Sequence, residues 1–255
     1  MEKNNPKVIR AWTWYDWANS VYSLTITTAI FPIYYNSVTT VNGSDLVTLF
    51  GREFKNTALY SYSLSFSFLL VAFLSPLLSG IADYKGNKKS FMKFFCVLGS
   101  LSCAALYFFK DVDSLAVGVL AFVLASVGWA GSIVYYNAFL PEIASKDMQD
   151  KVSARGFALG YIGSSLLLII NLLMVMMPQT FGLSGAGEAS RLSFAMTGAW
   201  WLGFAMYTFK YLPEKTTQNK FDGNLMMHGF NELKNGVLLE LYILMDLNDF
   251  VKRFV

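Results

Sequence analysis

Six apolar runs, each long enough to cross a lipid bilayer, occupy most of this chain. A membrane-spanning helix needs about 20 mainly apolar residues. A run such as SLLLIINLLMVMM has no polar stripe, which each helix of a soluble bundle would require. Charged residues make up only 15% of the chain, against about 25% in soluble domains. The sequence therefore predicts an all-α membrane protein with six transmembrane helices, at 11–35, 57–82, 91–109, 115–139, 156–177 and 192–211.

Lysine and arginine in the short loops predict the orientation of these helices, because cytoplasmic loops carry an excess of both. Ten such residues lie in the loops on the side of the N-terminus, and four lie on the other side. We therefore expect both termini to be cytoplasmic and the lipid bilayer to be the chain's first partner. The loops 36–56, 110–114 and 178–191 should then face outward.

Several classes of function are excluded by what the sequence lacks. The net charge of +3 is too small and dispersed to predict nucleic-acid binding. Cys96 and Cys103 share a helix face but lie roughly 10 Å apart along the axis, too far for a disulfide. His228 has no partner at metal-ligand spacing. No paired acid–base constellation sits at one depth, so we expect no metal, no cofactor and no enzymatic activity.

The segment YDWANS places Asp16 inside the first predicted span. Asp16, Asn19, Ser20 and Ser23 recur at helical spacing and form one polar stripe, continued by Thr27. Two interpretations remain open. Asp16 is either an acid tolerated at a helix end, about five residues from its start, or a residue that faces a cavity and helps gating or binds a proton. The length of the stripe favours the cavity, because an acid placed at a helix end by accident would not be followed by polar residues for several turns.

Other polar residues of the apolar runs are further candidates for the substrate pathway. Tyr135 and Asn137 lie in the fourth predicted span, and Asn171 lies in the fifth, where its amide needs a partner. The glycines of these spans, including Gly156 and Gly160, are expected to permit close helix packing instead.

The loop after the second predicted span reads SGIADYKGNKKSFMKF. On physical grounds alone it is a basic turn between two helices. Its spacing also resembles the loop 2–3 signature of the major facilitator superfamily, although Ser79 replaces the first glycine and Tyr84 the usual arginine. The resemblance implies a gating loop on the cytoplasmic side that contains Asp83, Gly86, Lys88 and Lys89.

Three further stretches, YDWANSVYS, YYNAFLPEIA and SARGFALGYIGSSLLLIINLL, are similar to signatures of the vacuole effluxer-like family within that superfamily. The resemblance covers most of residues 10–215. It implies twelve helices in two six-helix halves, alternating access, and a site for a small organic solute between the halves. Amino-acid efflux is the family's best-described activity. It also implies the plasma membrane in a bacterium or the vacuolar membrane in a fungus.

Residues 1–212 would then form the N-terminal half of a major-facilitator bundle, and 213–255 a cytoplasmic tail left from the central linker. We expect a truncated transporter that inserts but does not transport without its C-terminal half. A half-transporter completed by a second copy is the alternative. A non-transporting membrane scaffold or an inactive fragment is the competing function.

Overall fold

A computed structural model describes residues 3–85 and 87–214, with side chains described for 3–75 and 87–214. Helices lie at all six predicted positions. Five of them begin before the predicted apolar run, because polar residues at a helix start can continue the same backbone hydrogen bonding. In chain order they are α1 and α2, separated by a π-helical segment, and then α3 to α7. Their bounds are α1 Pro6–Tyr22, α2 Ile30–Thr39, α3 Asn56–Lys85, α4 Lys88–Ala105, α5 Leu115–Ile143, α6 Gln149–Met176 and α7 Ala186–Tyr211.

The first helix begins five residues earlier than predicted. Asn5 caps it, since its Oδ1 accepts hydrogen bonds from the backbone N–H groups of Lys7 and Val8, and Pro6 provides a preset first-turn φ. Asp16 therefore lies ten residues inside the helix, about 15 Å from its start. This depth corrects the estimate of five residues made from hydropathy.

The middle of the predicted first span is a π-helix, Ser23–Ala29, and α2 continues directly from it. Hydrophobic periodicity did not predict this change. A π-helix needs new donors for the carbonyl groups that lose their usual partners. Here the Ser23 carbonyl accepts hydrogen bonds from the hydroxyls of Thr27 at 2.6 Å and Thr28 at 2.8 Å. The Tyr60 hydroxyl of α3 donates to the Thr27 carbonyl at 3.1 Å.

Helix α1 packs mainly against α6 and α7, and its Trp12, Tyr15 and Tyr22 are almost completely buried. Glycines permit the closest crossings, as expected from their positions. A Cβ atom on Gly128 of α5 would collide with the backbone of Gly99 in α4. These contacts make α1, α4, α5, α6 and α7 one packed body, with α3 against α5.

The segment between α2 and α3, predicted to be a loop, contains a β-hairpin. Strand β1, Leu46–Leu49, pairs antiparallel with β2, Arg52–Lys55. The two turn residues, Phe50 and Gly51, both have positive φ, as a two-residue hairpin turn with right-handed strand twist requires.

Four of the described helical stretches are long and apolar enough to cross a membrane: Asn56–Ser75, Lys88–Phe108, Val112–Ile143 and Gln149–Met176. The structure thus confirms an all-α membrane protein. The other two predicted spans are also helical, within Pro6–Thr39 and Ala186–Tyr211, and pack among these four. Most of the predicted tail, 215–255, lies outside the described residues.

Candidate functional site

A cavity of about 220 Å³ lies between α1, α5 and α6. One wall is the polar stripe of α1, formed by Asp16, Asn19, Ser20 and Ser23, with Leu24 beside it. The helical spacing that grouped these side chains also brings them to one face. The other helices contribute mainly aromatic and apolar side chains, with the hydroxyls of Tyr161 and Ser164 and the indole N–H of Trp129 as their polar groups. These residues are Trp129, Ile133, Phe157, Tyr161 and Ser164.

Asp16 is buried, with 9% of its surface exposed, and a tyrosine of α5 holds it. The Tyr136 hydroxyl donates to Asp16 Oδ2 at 2.6 Å. Tyr136 is itself fixed by Trp12, whose ring stacks on it with centroids 4.2 Å apart. The indole N–H of Trp12 donates to the Tyr136 carbonyl at 2.8 Å. Trp12 and Asp16 of α1 thus both contact Tyr136 of α5 beside the cavity.

The small residues of α6 let that helix approach the stripe closely. A Cβ atom on Gly156 would collide with Asp16 Oδ2, and one on Gly160 would reach the Ser20 hydroxyl oxygen at 2.5 Å. The predicted packing role of these glycines is therefore confirmed, and their partners are the stripe residues themselves.

No ion pair involves Asp16 within the part of the chain that the structure describes. The carboxylate has a neutral hydroxyl as its hydrogen-bond partner and a cavity beside it. It can therefore accept a proton or bind a cationic group of a solute. The described residues hold no cluster of three or more side chains suited to a metal ion.

The structure does not bring the three remaining pathway candidates into this cavity. Tyr135 is buried elsewhere, stacked on Phe91 with centroids 5.4 Å apart. Asn137 is exposed on α5. Asn171 is fully buried in α6, and neither of its amide atoms has a hydrogen-bond partner among the described residues. Sequence position gave the depth of these residues but not the direction in which they point.

Lys88, one of the described residues of the predicted gating loop, makes a close contact. Lys88, at the start of α4, forms an ion pair with Glu142 near the end of α5, with 2.8 Å between Nζ and Oε1. The two side chains are only 18% and 22% exposed. Asp83 belongs to the last turns of α3, but its side chain and all of Gly86 lie outside the described residues. Lys89 is half-buried in the first turn of α4.

The sequence did not predict the aromatic and apolar residues of the site, of which Tyr136 and Trp129 make the most specific contacts. Both lie in an apolar span where aromatic side chains usually mean packing. Their spacing contained one signal. Trp129, Ile133 and Tyr136 follow each other at intervals of four and three residues, so they share a face of α5.

Comparison with known proteins gives a consistent result. A family model described as "Vacuole effluxer Atg22 like" matches residues 4–239. An uncharacterized MFS-type transporter, YxiO, from Bacillus subtilis (strain 168) is 35% identical over 91% of this chain and 53% of its own length. Autophagy-related protein 22-2 of Aspergillus niger is 21% identical over 68% of this chain and 39% of its own length. No solved structure matches.

The chain thus spans about half the length, or less, of these curated relatives. The matched family and the Bacillus relative bear the names of transport proteins. This agrees with the prediction that the chain is not an enzyme.

Proposed function

The chain belongs to the vacuole effluxer Atg22-like family, and from that premise we propose that its helices form the N-terminal half of a secondary transporter for a small organic solute. Amino acids are the solute class we favour. The cavity between α1, α5 and α6 is the observation that carries the proposal, because a polar stripe with a carboxylate lines it in an otherwise apolar bundle.

The chemistry of the cavity supports a solute with both charged and apolar parts. Asp16 can bind an ammonium group, and the hydroxyls of Ser20 and Ser23 can hydrogen-bond to polar atoms. Leu24, Ile133 and Phe157 provide an apolar surface for a side chain. A small-molecule site commonly combines a few placed polar groups with apolar walls.

Proton coupling is part of the proposal and also centres on Asp16. Titratable groups near the carboxylate are the phenols of Tyr136, which donates to it, and Tyr161, which lines the same cavity. A carboxylate that binds the solute in one state and a proton in the other would link the two movements.

In the proposed arrangement both termini are cytoplasmic, and Lys88 and Lys89 lie in a gating loop with Asp83 and Gly86. The ion pair between Lys88 and Glu142 would then stabilise the cytoplasmic ends of α4 and α5. The other wall of the pathway would come from a C-terminal half or from a second copy. The membrane would be the plasma membrane in a bacterium and the vacuolar membrane in a fungus.

The test is uptake of radiolabelled L-valine by the complete gene product in proteoliposomes, with and without an imposed pH gradient. Asp16→Asn should abolish the response to the gradient, because the amide cannot exchange a proton in this way. Asp150→Asn is the matched control, since Asp150 is exposed at the start of α6 and away from the cavity.

An unchanged pH response in Asp16→Asn would contradict the coupling role and return Asp16 to a structural one. Absence of uptake by the unaltered protein, for any amino acid tried, would favour the competing function of a non-transporting membrane scaffold or inactive fragment.

A further inference from the structure

Two buried N–H donors at the cavity have no acceptor among the described residues. They are Nδ2 of Asn19, whose side chain is 2% exposed, and Nε1 of Trp129. Asn19 Oδ1 is engaged, since it accepts from the Ser20 hydroxyl at 3.5 Å. A buried donor without an acceptor is costly, so native structures rarely leave one without a purpose.

The position of Trp129 is fixed by its neighbours. Its ring stacks on Tyr22, with centroids 5.4 Å apart and planes inclined by 27°. Tyr22 is fully buried, and its hydroxyl forms a 2.7 Å hydrogen bond with Ser126 Oγ of α5. Tyr22 comes one helical turn after Asn19, so Asn19 and the indole lie at neighbouring levels of the bundle.

Trp129 differs from four other tryptophans of the bundle, because it both lines the cavity and lacks an acceptor for its indole N–H among the described residues. Trp12 and Trp200 donate their indole N–H groups to backbone carbonyls, at 2.8 Å and 3.2 Å. Trp17 and Trp201 also lack an acceptor for the indole N–H among the described residues, but neither lines the cavity. Asn19 and Trp129 therefore each line the cavity and have an N–H donor without an acceptor among the described residues.

We propose that Asn19 and Trp129 are specificity-determining residues that bind a carboxylate oxygen of the solute. This inference rests on the proposed function and deepens it. Asp16 and the two donors belong to residues that line one cavity, so a solute that pairs with all three needs a cationic group and a hydrogen-bond acceptor close together. A carboxylate is the strongest such acceptor. An amino acid with a free carboxylate has both, whereas an amine or a simple acid has only one.

Three matched probes test this assignment in proteoliposomes of the complete gene product. They are L-valine, isobutylamine, which is valine without its carboxylate, and isovalerate, which is valine without its amino group. Uptake of L-valine is measured first, and then its inhibition by each of the other two.

The variants are Trp129→Phe, which keeps an aromatic ring but has no N–H, and Asn19→Leu, which removes the amide at similar size. Each should raise the half-saturation concentration for L-valine roughly tenfold, the effect of losing one hydrogen bond to a charged group. Inhibition by isobutylamine should be unchanged, because that probe has no group for the donors. Trp14→Phe, outside the cavity, should leave all three probes unaffected.

The outcomes separate the two levels of the proposal. Unchanged L-valine uptake in both variants would overturn the inference and leave the proposed function intact. Equal weakening of L-valine and isobutylamine would overturn it too, since it would indicate a general loss of packing. Failure of the unaltered protein to bind any of the three probes would overturn the proposed function and this inference together.

Discussion

The position of the Asp16 carboxylate depends on one attractive contact and one steric contact. The Tyr136 hydroxyl attracts the carboxylate through a 2.6 Å hydrogen bond, and Gly156 of α6 leaves the space that the same oxygen occupies. The first contact restricts the direction of the side chain. The second makes that direction sterically possible. A change at either residue should move the carboxylate without altering its charge.

Replacement of Gly156 tests the steric part. Gly156→Ala places a methyl group against Asp16 Oδ2, and overpacking of this kind costs about 1–3 kcal/mol. We expect a lower apparent melting temperature in detergent and weaker L-valine binding. Gly203→Ala is the control, because the added methyl group would have nothing within 4 Å. Equal stability of the two variants would show that the carboxylate is not confined by α6.

At this scale the sequence predicted part of the site and could not predict the rest. Helical spacing grouped Asp16, Asn19, Ser20 and Ser23, and the structure places all four on one cavity. Thr27, predicted to continue the stripe, does not line this cavity, and its hydroxyl donates to the Ser23 carbonyl. The reason is the π-helix, which changes the angular period after Tyr22 and so ends the stripe.

At the scale of elements, the π-helix Ser23–Ala29 is the distinctive feature of the first span. It lies directly after the last stripe residue that lines the cavity, Ser23. Backbone carbonyls inside a membrane need partners, and two threonine hydroxyls provide them for Ser23. Three of its seven residues are threonines, which a hydropathy profile scores as nearly neutral. This explains why the sequence pattern predicted a uniform helix.

The double variant Thr27→Val, Thr28→Val should destabilise the protein by about 2 kcal/mol, because both hydroxyl donors to one carbonyl are lost. The shape of the side chains is almost unchanged. Apparent melting temperatures in detergent measure the effect, and Thr48→Val, at an exposed position of β1, is the isosteric control. If the double variant is as stable as the control, the hydroxyls do not maintain the π-helix.

At the scale of the whole molecule, the ion pair between Lys88 and Glu142 joins the start of α4 to the end of α5. The loop signature predicted that Lys88 would matter, but it did not identify Glu142 as a partner. The two residues lie 54 positions apart, and only the packing of α4 on α5 brings them together. Long-range pairs of this kind cannot be derived from spacing along one chain.

A double-mutant cycle on this pair, with Lys88→Met and Glu142→Gln, should give a coupling energy of about 1–2 kcal/mol, because both side chains are mostly buried. The same cycle on Lys55 and Asp45 is the internal comparison. Those side chains are 69% and 52% exposed and 3.7 Å apart, so their coupling should stay below about 1 kcal/mol. If the coupling energy of Lys88 and Glu142 is no larger than that of Lys55 and Asp45, the ion pair does not stabilise the contact between α4 and α5 and has no role in gating.

The central proposal is that the cavity beside Asp16 is part of a solute pathway. Its most direct test is thiol accessibility at Ser23, after Cys96 and Cys103, both free and buried, have been changed to alanine. The Ser23→Cys variant, in proteoliposomes, should react with a hydrophilic, positively charged thiol reagent, and L-valine should slow the reaction. The Ser193→Cys variant is the control, since Ser193 is fully buried in α7 and does not line the cavity. Reaction at Ser23 no faster than at Ser193, or reaction that no amino acid slows, would contradict the claim.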